Sequence, residues 1–209
     1  SVIDQQVFNI AKSGARHVAI GSPYESEFIP ILNRWVQAAR RNKLNVWFLG
    51  NFSGWEGWFG YSKIDRKMHK FQTKAFIETN ADLFADGDIF TACPECENGG
   101  PGDPRHIGNI LDHRKFLIEE YIVTKDAFKK INKKVASNYS SMNADVARLI
   151  MDKETTAALD GIVVIDHYVR TPQQLVSDIE SIAKQSGGKI VLGEFGAPIP
   201  DLNGNMTPS

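Results

Sequence analysis

GIVVIDHYV, from Gly161 to Val169, is the stretch of sequence that decides the fold. Its β-branched residues predict a strand. Thr171 and Pro172 then predict the start of a helix, because proline is favoured at the first helical position. The helical pattern ends at the glycine pair 187–188, and a second strand, KIVLGEF, follows from Lys189 to Phe195. This order of strand, helix and strand predicts a βαβ unit with parallel strands.

The same alternation runs back toward the N-terminus. Four further short apolar runs are each followed by a stretch with helical periodicity. They are HVAIG (His17 to Gly21), NVWFLG (Asn45 to Gly50), DIFTAC (Asp88 to Cys93) and KKVASN (Lys133 to Asn138). A parallel sheet of this kind is either a closed barrel or an open, doubly wound sheet.

Two observations favour the barrel over the open sheet. The sequence contains neither of the glycine-rich phosphate loops, G-x-G-x-x-G and G-x-x-x-x-G-K-[ST], that mark nucleotide-binding open sheets. Instead, a polar or aromatic residue follows each of the predicted strands, as in barrels whose sites are built from many strand ends. These residues are Tyr24, Asn51, Glu95, Asn138, Tyr168 and Glu194. We therefore predict an α/β fold of the (β/α)8 TIM-barrel type.

The strand count indicates a truncated or partial form of that barrel. About six βα units are visible, and a complete barrel typically needs about 250 residues, whereas this chain has 209. We expect residues 1–209 to form a single catalytic domain that lacks the first and last units. The edges beside HVAIG and KIVLGEF would then be covered by self-association or by a companion segment.

Composition excludes several classes of partner. The chain has 24 basic and 25 acidic residues, a net charge of −1, and no long basic run, so we expect no nucleic-acid partner. No apolar run approaches the roughly 20 residues of a membrane helix, so we expect no membrane partner. The opening SVIDQQVFNIAK lacks the pattern of a signal peptide, and the sequence leaves the localisation open.

Two motifs resemble the retaining glycoside hydrolases of clan A, the (β/α)8 superfamily of cellulases, mannanases and β-glycosidases. ACPECENGG lies where the fourth barrel strand of that clan ends in its acid/base glutamate, and VLGEFGAPIPD lies where the seventh ends in its nucleophile. The resemblance implies that Glu194 is the nucleophile and Glu95 the acid/base. Glu97 is the alternative acid, since it shares the strand parity of Glu95, and otherwise a substrate-binding group at the rim. The sequence departs from the clan at Pro94, where an asparagine is usual.

Hydrolysis with retention gives an independent reason for pairing two glutamates. One carboxylate attacks the anomeric carbon while a carboxylic acid, about 5–5.5 Å away, protonates the leaving oxygen. Two glutamates on strands three apart in a narrow barrel can face each other across its mouth.

The two cysteines, Cys93 and Cys96, allow three interpretations. A zinc site would need two more ligands, and only His106 and His113 lie nearby in the sequence. A redox pair normally precedes a helix directly, whereas ENGGPGDP intervenes here. We favour two thiols packed around a strand end.

Further substrate-binding residues are expected in the loop GNFSGWEGWFGY, from Gly50 to Tyr61. Flat aromatic rings such as Trp55 and Trp58 bury the apolar faces of sugars, although the same rings could instead plug the barrel end. Position at the strand ends adds four more candidates, of which Tyr168 would correspond to the clan's aromatic hydroxyl beside the nucleophile. The four are Asn51, Asn138, His167 and Tyr168.

The sequence therefore predicts a hydrolase of β-glycosidic bonds in a poly- or oligosaccharide, similar to cellulases and other endo-β-glycanases. It would work by double displacement and without a metal or organic cofactor. The alternative from another class is a catalytically silent barrel that binds carbohydrate. A metal-dependent barrel hydrolase comes third.

Overall fold

The computed structural model describes residues 1–196, apart from the side chain of Ile107. It contains six strands, nine α-helices and three single turns of 3-10 helix within those residues. The strands are β1 (His17–Ile20), β2 (Asn45–Phe48), β3 (Ile89–Phe90), β4 (Ser141–Asn143), β5 (Ile162–Tyr168) and β6 (Lys189–Gly196). The helices are α1 (Val2–Lys12), α2 (Ile29–Arg41), α3 (Ser53–Glu56), α4 (Arg66–Thr79), α5 (Pro104–Ile107), α6 (Ile110–Lys130), α7 (Ala144–Ile150), α8 (Lys153–Ala158) and α9 (Pro172–Ser186). The 3-10 turns are Ser26–Phe28, Trp58–Gly60 and Ala81–Leu83.

The strands form two parallel sheets, β1-β2-β3 and β4-β5-β6. The predicted strand KKVASN is correct only in part. Ala136 makes a bridge to Ile89 of β3, and the chain then leaves the ladder before it forms β4. The physical reason is that the intervening residues bond elsewhere: Asn138 donates to the carbonyl of Leu159, and the carbonyl of Tyr139 accepts from the Thr91 hydroxyl. One interrupted stretch therefore joins the two sheets.

Each sheet has its own hydrophobic core. Under the first, Phe90 packs against Phe48, Phe84 and Phe128 in mutually tilted or edge-on contacts. Under the second, apolar residues of β5 pack against α7 and the inner faces of α6 and α9. The helices thus pack against the sheets, and the carboxyl ends of the strands remain to build a site.

An ion pair ties α2 to the first sheet. Arg40 donates two hydrogen bonds to Asp88, whose side chain is fully buried. Asp88 also accepts from the backbone N–H groups of Val46 and Ala85, at 2.8 Å each. A buried charge is tolerated only when it is paired and hydrogen-bonded in this way. This contact holds α2 against the N-terminal ends of β2 and β3.

The first strand of the first sheet and the last strand of the second each have an open edge in the part of the chain that the structure describes. There, β1 pairs only with β2, and β6 pairs only with β5. Neither strand has the second partner that a closed barrel would supply. The α/β fold of parallel strands and the partial barrel that the sequence predicted are confirmed. Among residues 1–196, no helix is both long enough and apolar enough to cross a membrane.

Candidate active site

Glu95 lies in the loop that follows β3, at the carboxyl end of the sheet. Its backbone N–H donates to the carbonyl of Ser141 at 2.9 Å, and its own carbonyl accepts from the N–H of Asn98 at 2.8 Å. The residue takes a left-handed conformation with φ of 48°. A non-glycine residue with positive φ is uncommon and is often found at functional sites. The loop therefore holds the half-buried carboxylate of Glu95 in a defined place.

Cys93 and Cys96 form a disulfide that encloses Glu95. The prediction of two separate thiols packed around a strand end is thus wrong, although both sulfurs are buried as expected. The sequence spacing of three residues did not distinguish the two outcomes, because the turn at Glu95 is what brings the cysteines together. No group of three or more His, Cys, Asp or Glu residues within the described chain is placed to hold a metal.

Glu194 lies near the end of β6, at an irregularity in the strand pairing. Leu192 is opposite Ile165, but Glu194 and not Gly193 is opposite Asp166, so Gly193 is the extra residue of a β-bulge. A Cβ at Gly193 would lie 2.4 Å from Oδ1 of Asp166, so only glycine fits there. Bulges are known to re-aim side chains next to active sites. Here the bulge places Glu194 on the row of residues that contains Asp166.

The carboxylate of Glu194 is anchored by Tyr168. The Tyr168 hydroxyl donates to Oε2 of Glu194 at 2.6 Å, a length typical of a charge-assisted bond. This bond raises the pKa of Tyr168 to about 12. Both side chains are exposed. The sequence resemblance predicted this contact.

The environment of Glu95 favours its protonated form. Desolvation raises the pKa of Glu95, and the negative charge of Glu194 raises it further. A hydrogen bond of 3.0 Å from the Asn98 side chain opposes both effects in part. Because the charge of Glu194 acts on Glu95, the two carboxyl groups lie near enough to interact electrostatically. The two glutamates therefore have different environments, since Glu95 is partly desolvated and Glu194 is exposed.

Glu97 is not a rim residue, and this corrects the sequence expectation. Its side chain is only 2% exposed and accepts from Asn143 twice, from the backbone N–H at 2.7 Å and from the side-chain amide at 3.0 Å. Burial raises the pKa of Glu97. Because Asn143 ends β4, Glu97 holds the loop of Glu95 onto that strand.

The two tryptophans of the aromatic loop have opposite surroundings. Trp55 is completely buried, stacked on Phe116 with ring centroids 5.3 Å apart, and Gly100 lies against its ring. It cannot present a face to a sugar, so its predicted role in substrate binding is wrong. Trp58 is 55% exposed and remains a candidate, as does its exposed neighbour Phe59.

The remaining predicted polar residues bond within the protein. Asn51 is buried, and its side chain accepts from the ring of His69 at 2.8 Å. Asn138 donates to a backbone carbonyl, and His167 faces away from Tyr168 to contact Asp178 of α9 at 2.7 Å. His167 therefore supports the helix layer and does not line the mouth. Asn51 and Asn138 lie near the strand ends with their amides already engaged.

Asp166 is the site residue that the sequence analysis missed. It is 4% exposed and lies in a row across three strands, opposite Asn143 on one side and Glu194 on the other. Burial and the charges of Glu194 and Glu95 raise its pKa to about 7. The signal available in the sequence was a single acidic residue inside the apolar run GIVVIDHYV.

Comparison with known proteins supports the fold. No family model matches the chain, and no curated protein matches it. Two similar solved structures are a Bacteroidetes-affiliated GH5 cellulase linked with a polysaccharide utilization locus and a fungal β-1,4-galactanase. The cellulase has a TM-score of 0.61 and 15% sequence identity, and the match covers 92% of this chain and 66% of the cellulase chain. The galactanase has a TM-score of 0.58 and 12% identity, and the match covers 91% of this chain and 65% of the galactanase chain. Identity at this level shows the fold alone, and the chain spans just under two thirds of the length of these barrel enzymes.

Proposed function

We propose that this chain carries the catalytic site of a retaining glycoside hydrolase that cleaves β-glycosidic bonds in a poly- or oligosaccharide. The observation that carries the proposal is the pair formed by Glu95 and Glu194. One glutamate is partly desolvated, with a raised pKa, and the other is exposed and anchored by Tyr168. The reaction requires one carboxyl group that can hold a proton and a second that acts as the carboxylate nucleophile.

Each glutamate suits one of the two roles. Glu194 would attack the anomeric carbon, because a nucleophile must be ionised and the Tyr168 hydroxyl stabilises its charge. Glu95 would protonate the leaving oxygen and then take a proton from the attacking water, because desolvation raises its pKa and so favours the protonated acid. The charge of Glu194 disappears when the glycosyl bond forms. The pKa of Glu95 would then fall, which turns the acid into a base for the second step.

The exposed rings of Trp58 and Phe59 would contact the sugar. They are 55% and 71% exposed, and a flat ring buries the apolar face of a pyranose with little loss of conformational entropy. The names of the two similar structures, a cellulase and a β-1,4-galactanase, favour a polysaccharide as the substrate class.

A mechanism-based label tests the proposal directly. An activated 2-deoxy-2-fluoro glycoside forms the glycosyl intermediate but slows its hydrolysis, so the protein should gain the mass of one glycosyl group. Peptide mapping should place that group on Glu194. Glu194→Gln, which keeps the shape and removes the charge, should take no label and lose several orders of magnitude in kcat. A label on another carboxylate, or full activity in Glu194→Gln, would contradict the assignment.

A carbohydrate-binding barrel without catalysis is the second candidate. It is favoured by the exposure of Glu194 on a strand that has an open edge among the described residues. Such a site would bind a β-linked oligosaccharide in isothermal titration calorimetry without releasing reducing ends. Trp58→Ala would weaken that binding, and Glu194→Gln would leave it in place.

A further inference from the structure

The side chain of Asn98 lies between Glu95 and Arg105 in the segment that follows β3. Its Nδ2 group donates to Oε2 of Glu95 at 3.0 Å, and its Oδ1 accepts from Nη2 of Arg105 at 2.6 Å. The backbone N–H of Asn98 also donates to the carbonyl of Glu95 at 2.8 Å. Asn98 is thus hydrogen-bonded to Glu95 through both its backbone and its side chain.

Arg105 decides which end of the Asn98 amide faces Glu95. An arginine side chain has five N–H donors and no acceptor, so only the oxygen of the amide can bond to it. The amide nitrogen then points the other way, toward Oε2 of Glu95. Asn98 therefore offers Glu95 a donor and no acceptor. A group that only donates stabilises a carboxylate more than a carboxylic acid.

Asp103 in turn holds Arg105 in place. Nε of Arg105 donates to both carboxylate oxygens of Asp103, at 3.0 and 3.1 Å, and Nη2 donates to Oδ2 at 2.8 Å. The same carboxylate accepts the backbone N–H of Arg105 at 2.9 Å. Asp145 of α7 lies 3.7 Å from Nη1. Several contacts to one carboxylate fix the plane of the guanidinium group, and with it the direction of Nη2.

We propose that Arg105 and Asn98 form a positioning relay for Glu95: Arg105 fixes the orientation of the Asn98 amide, and Asn98 donates to the carboxylate and favours its ionised form. The catalytic meaning of this relay rests on the proposed function. A retaining hydrolase needs Glu95 as an acid in the first step and as a base in the second. Burial and the charge of Glu194 favour the acid, whereas the relay favours the base.

Charges around Glu95 act on the same equilibrium. A negative charge on any neighbouring acidic group opposes the ionisation of Glu95. These groups come from α3, the loop after β3, β5 and β6, and they are Glu56, Glu97, Asp166, Tyr168 and Glu194. The positive charge of Arg105 lowers the pKa of Glu95 directly, and Lys63 bonds to the carbonyl of Gly99 nearby. Experiments on the relay therefore need to separate the hydrogen bond from these charges.

NMR of the wild-type protein detects the hydrogen bond itself. A scalar coupling between Nδ2 of Asn98 and the carboxyl carbon of Glu95 is transmitted through the bond and not by a nearby charge. We expect this coupling in protein labelled with 15N and 13C, at a pH above the titration midpoint of Glu95. The backbone bond between the same two residues gives a coupling of the same kind and is the internal control. If the backbone coupling is observed and the side-chain coupling is not, the proposal is overturned, and this measurement needs no variant to fold.

Substitutions test whether Arg105 acts through Asn98. Asn98→Leu removes the donor without a change of charge, so it should raise the titration midpoint of Glu95, followed by 13C NMR, by roughly 1 pH unit. Asn33→Leu, at an exposed position on α2, is the matched control and should leave that midpoint unchanged. Arg105→Leu should also raise the midpoint, but clearly less when Asn98→Leu is already present, since no amide is left to orient. An unchanged midpoint in Asn98→Leu, or an equal effect of Arg105→Leu with and without Asn98→Leu, would overturn the relay.

The pH profile of activity tests the catalytic meaning of the relay. The basic limb of kcat/KM reports the acid of the free enzyme, so in Asn98→Leu it should move to higher pH by the same amount as the NMR midpoint. A basic limb that stays in place in an active variant would overturn the role in catalysis. If the wild type cleaves no glycoside, the proposed function fails, and the NMR measurements alone still decide whether the relay acts on Glu95.

Discussion

Glu95 and Glu97 lie two residues apart in one loop, but their surroundings differ. Glu95 is half-buried and feels the charge of Glu194, while Glu97 is engaged with Asn143. The alternation of side chains expected for a strand could not distinguish Glu95 from Glu97 in the sequence, because residues two apart share one face. Removal of each carboxyl group in turn shows which of the two is the acid.

Glu95→Ala should slow the hydrolysis of substrates with poor leaving groups by roughly a hundredfold to ten-thousandfold. Aryl glycosides with activated leaving groups need little protonation and should be much less affected. Added azide should restore turnover, since it needs no general base. Steady-state kinetics on the two substrate types provides the measurement.

Glu97→Ala is the matched variant for that experiment. Because Glu97 accepts the backbone N–H of Asn143, its removal should lower stability and affect both substrate types alike. If Glu97→Ala instead shows selective loss and azide rescue, and Glu95→Ala does not, the two roles must be exchanged.

The raised pKa of Asp166 also predicts how stability depends on pH. The folded state binds this proton more tightly than the unfolded chain, where aspartate titrates near 3.8. The contribution of Asp166 to stability is therefore complete below pH 4 and is lost as the pH rises to about 7. The loss is at most roughly 4 kcal/mol. Asp166→Asn removes the titrating group, so its free energy of unfolding, measured with urea, should fall less between pH 4 and 7 than that of the wild type. An equal dependence of the unfolding free energy on pH in the two proteins would count against the raised pKa of Asp166.

At the scale of elements, one loop carries both a core residue and a surface residue. Trp55 lies in α3 and its ring packs against Gly100, while Trp58 lies in the next turn and is exposed. A left-handed glycine, Gly57, separates the two turns and reverses the direction of the chain. We therefore expect Trp55 to contribute to stability and Trp58 to contact the proposed substrate.

Substitution of each tryptophan by alanine should separate these two effects. Trp55→Ala should cost about 3–5 kcal/mol of unfolding free energy, because it leaves a large cavity under α6. Trp58→Ala should change stability by no more than about 0.5 kcal/mol, yet weaken binding of an oligosaccharide. Urea unfolding and calorimetric titration of both variants give the comparison. A stable Trp55→Ala protein with impaired binding would reverse the assignment.

At the scale of the whole molecule, β1 and β6 each have one edge without a strand partner among residues 1–196. Backbone N–H and C=O groups at such an edge can pair with another strand, and β6 carries half-buried apolar residues along its length. Such an edge is a template for association with a second copy or a companion segment.

We therefore expect the isolated chain to self-associate through β6. Its sedimentation coefficient and its Tm should both rise with protein concentration, because association stabilises the folded state. Val191→Lys places a charge on the edge strand and should reduce this effect, while Val176→Lys, on the exposed face of α9, should not. A monomer with a Tm that is independent of concentration would argue against a required partner.

The sequence by itself determined the features that depend on local pattern. Apolar runs and helical stripes predicted the alternation of strands and helices, and the positions of Glu95 and Glu194 predicted that each lies toward the carboxyl end of a strand. The strand count also predicted a partial barrel. These features follow from the periodicity of each segment and from the direction of parallel strands.

Only the tertiary structure decided which polar and aromatic residues reach the site. Trp55 and Trp58 have similar sequence neighbours, yet one is buried under α6 and the other is exposed. Asp166 became part of the cluster because the bulge at Gly193 brings Glu194 opposite it. Burial and charge coupling arise from residues that are distant in sequence, and no local pattern specifies them.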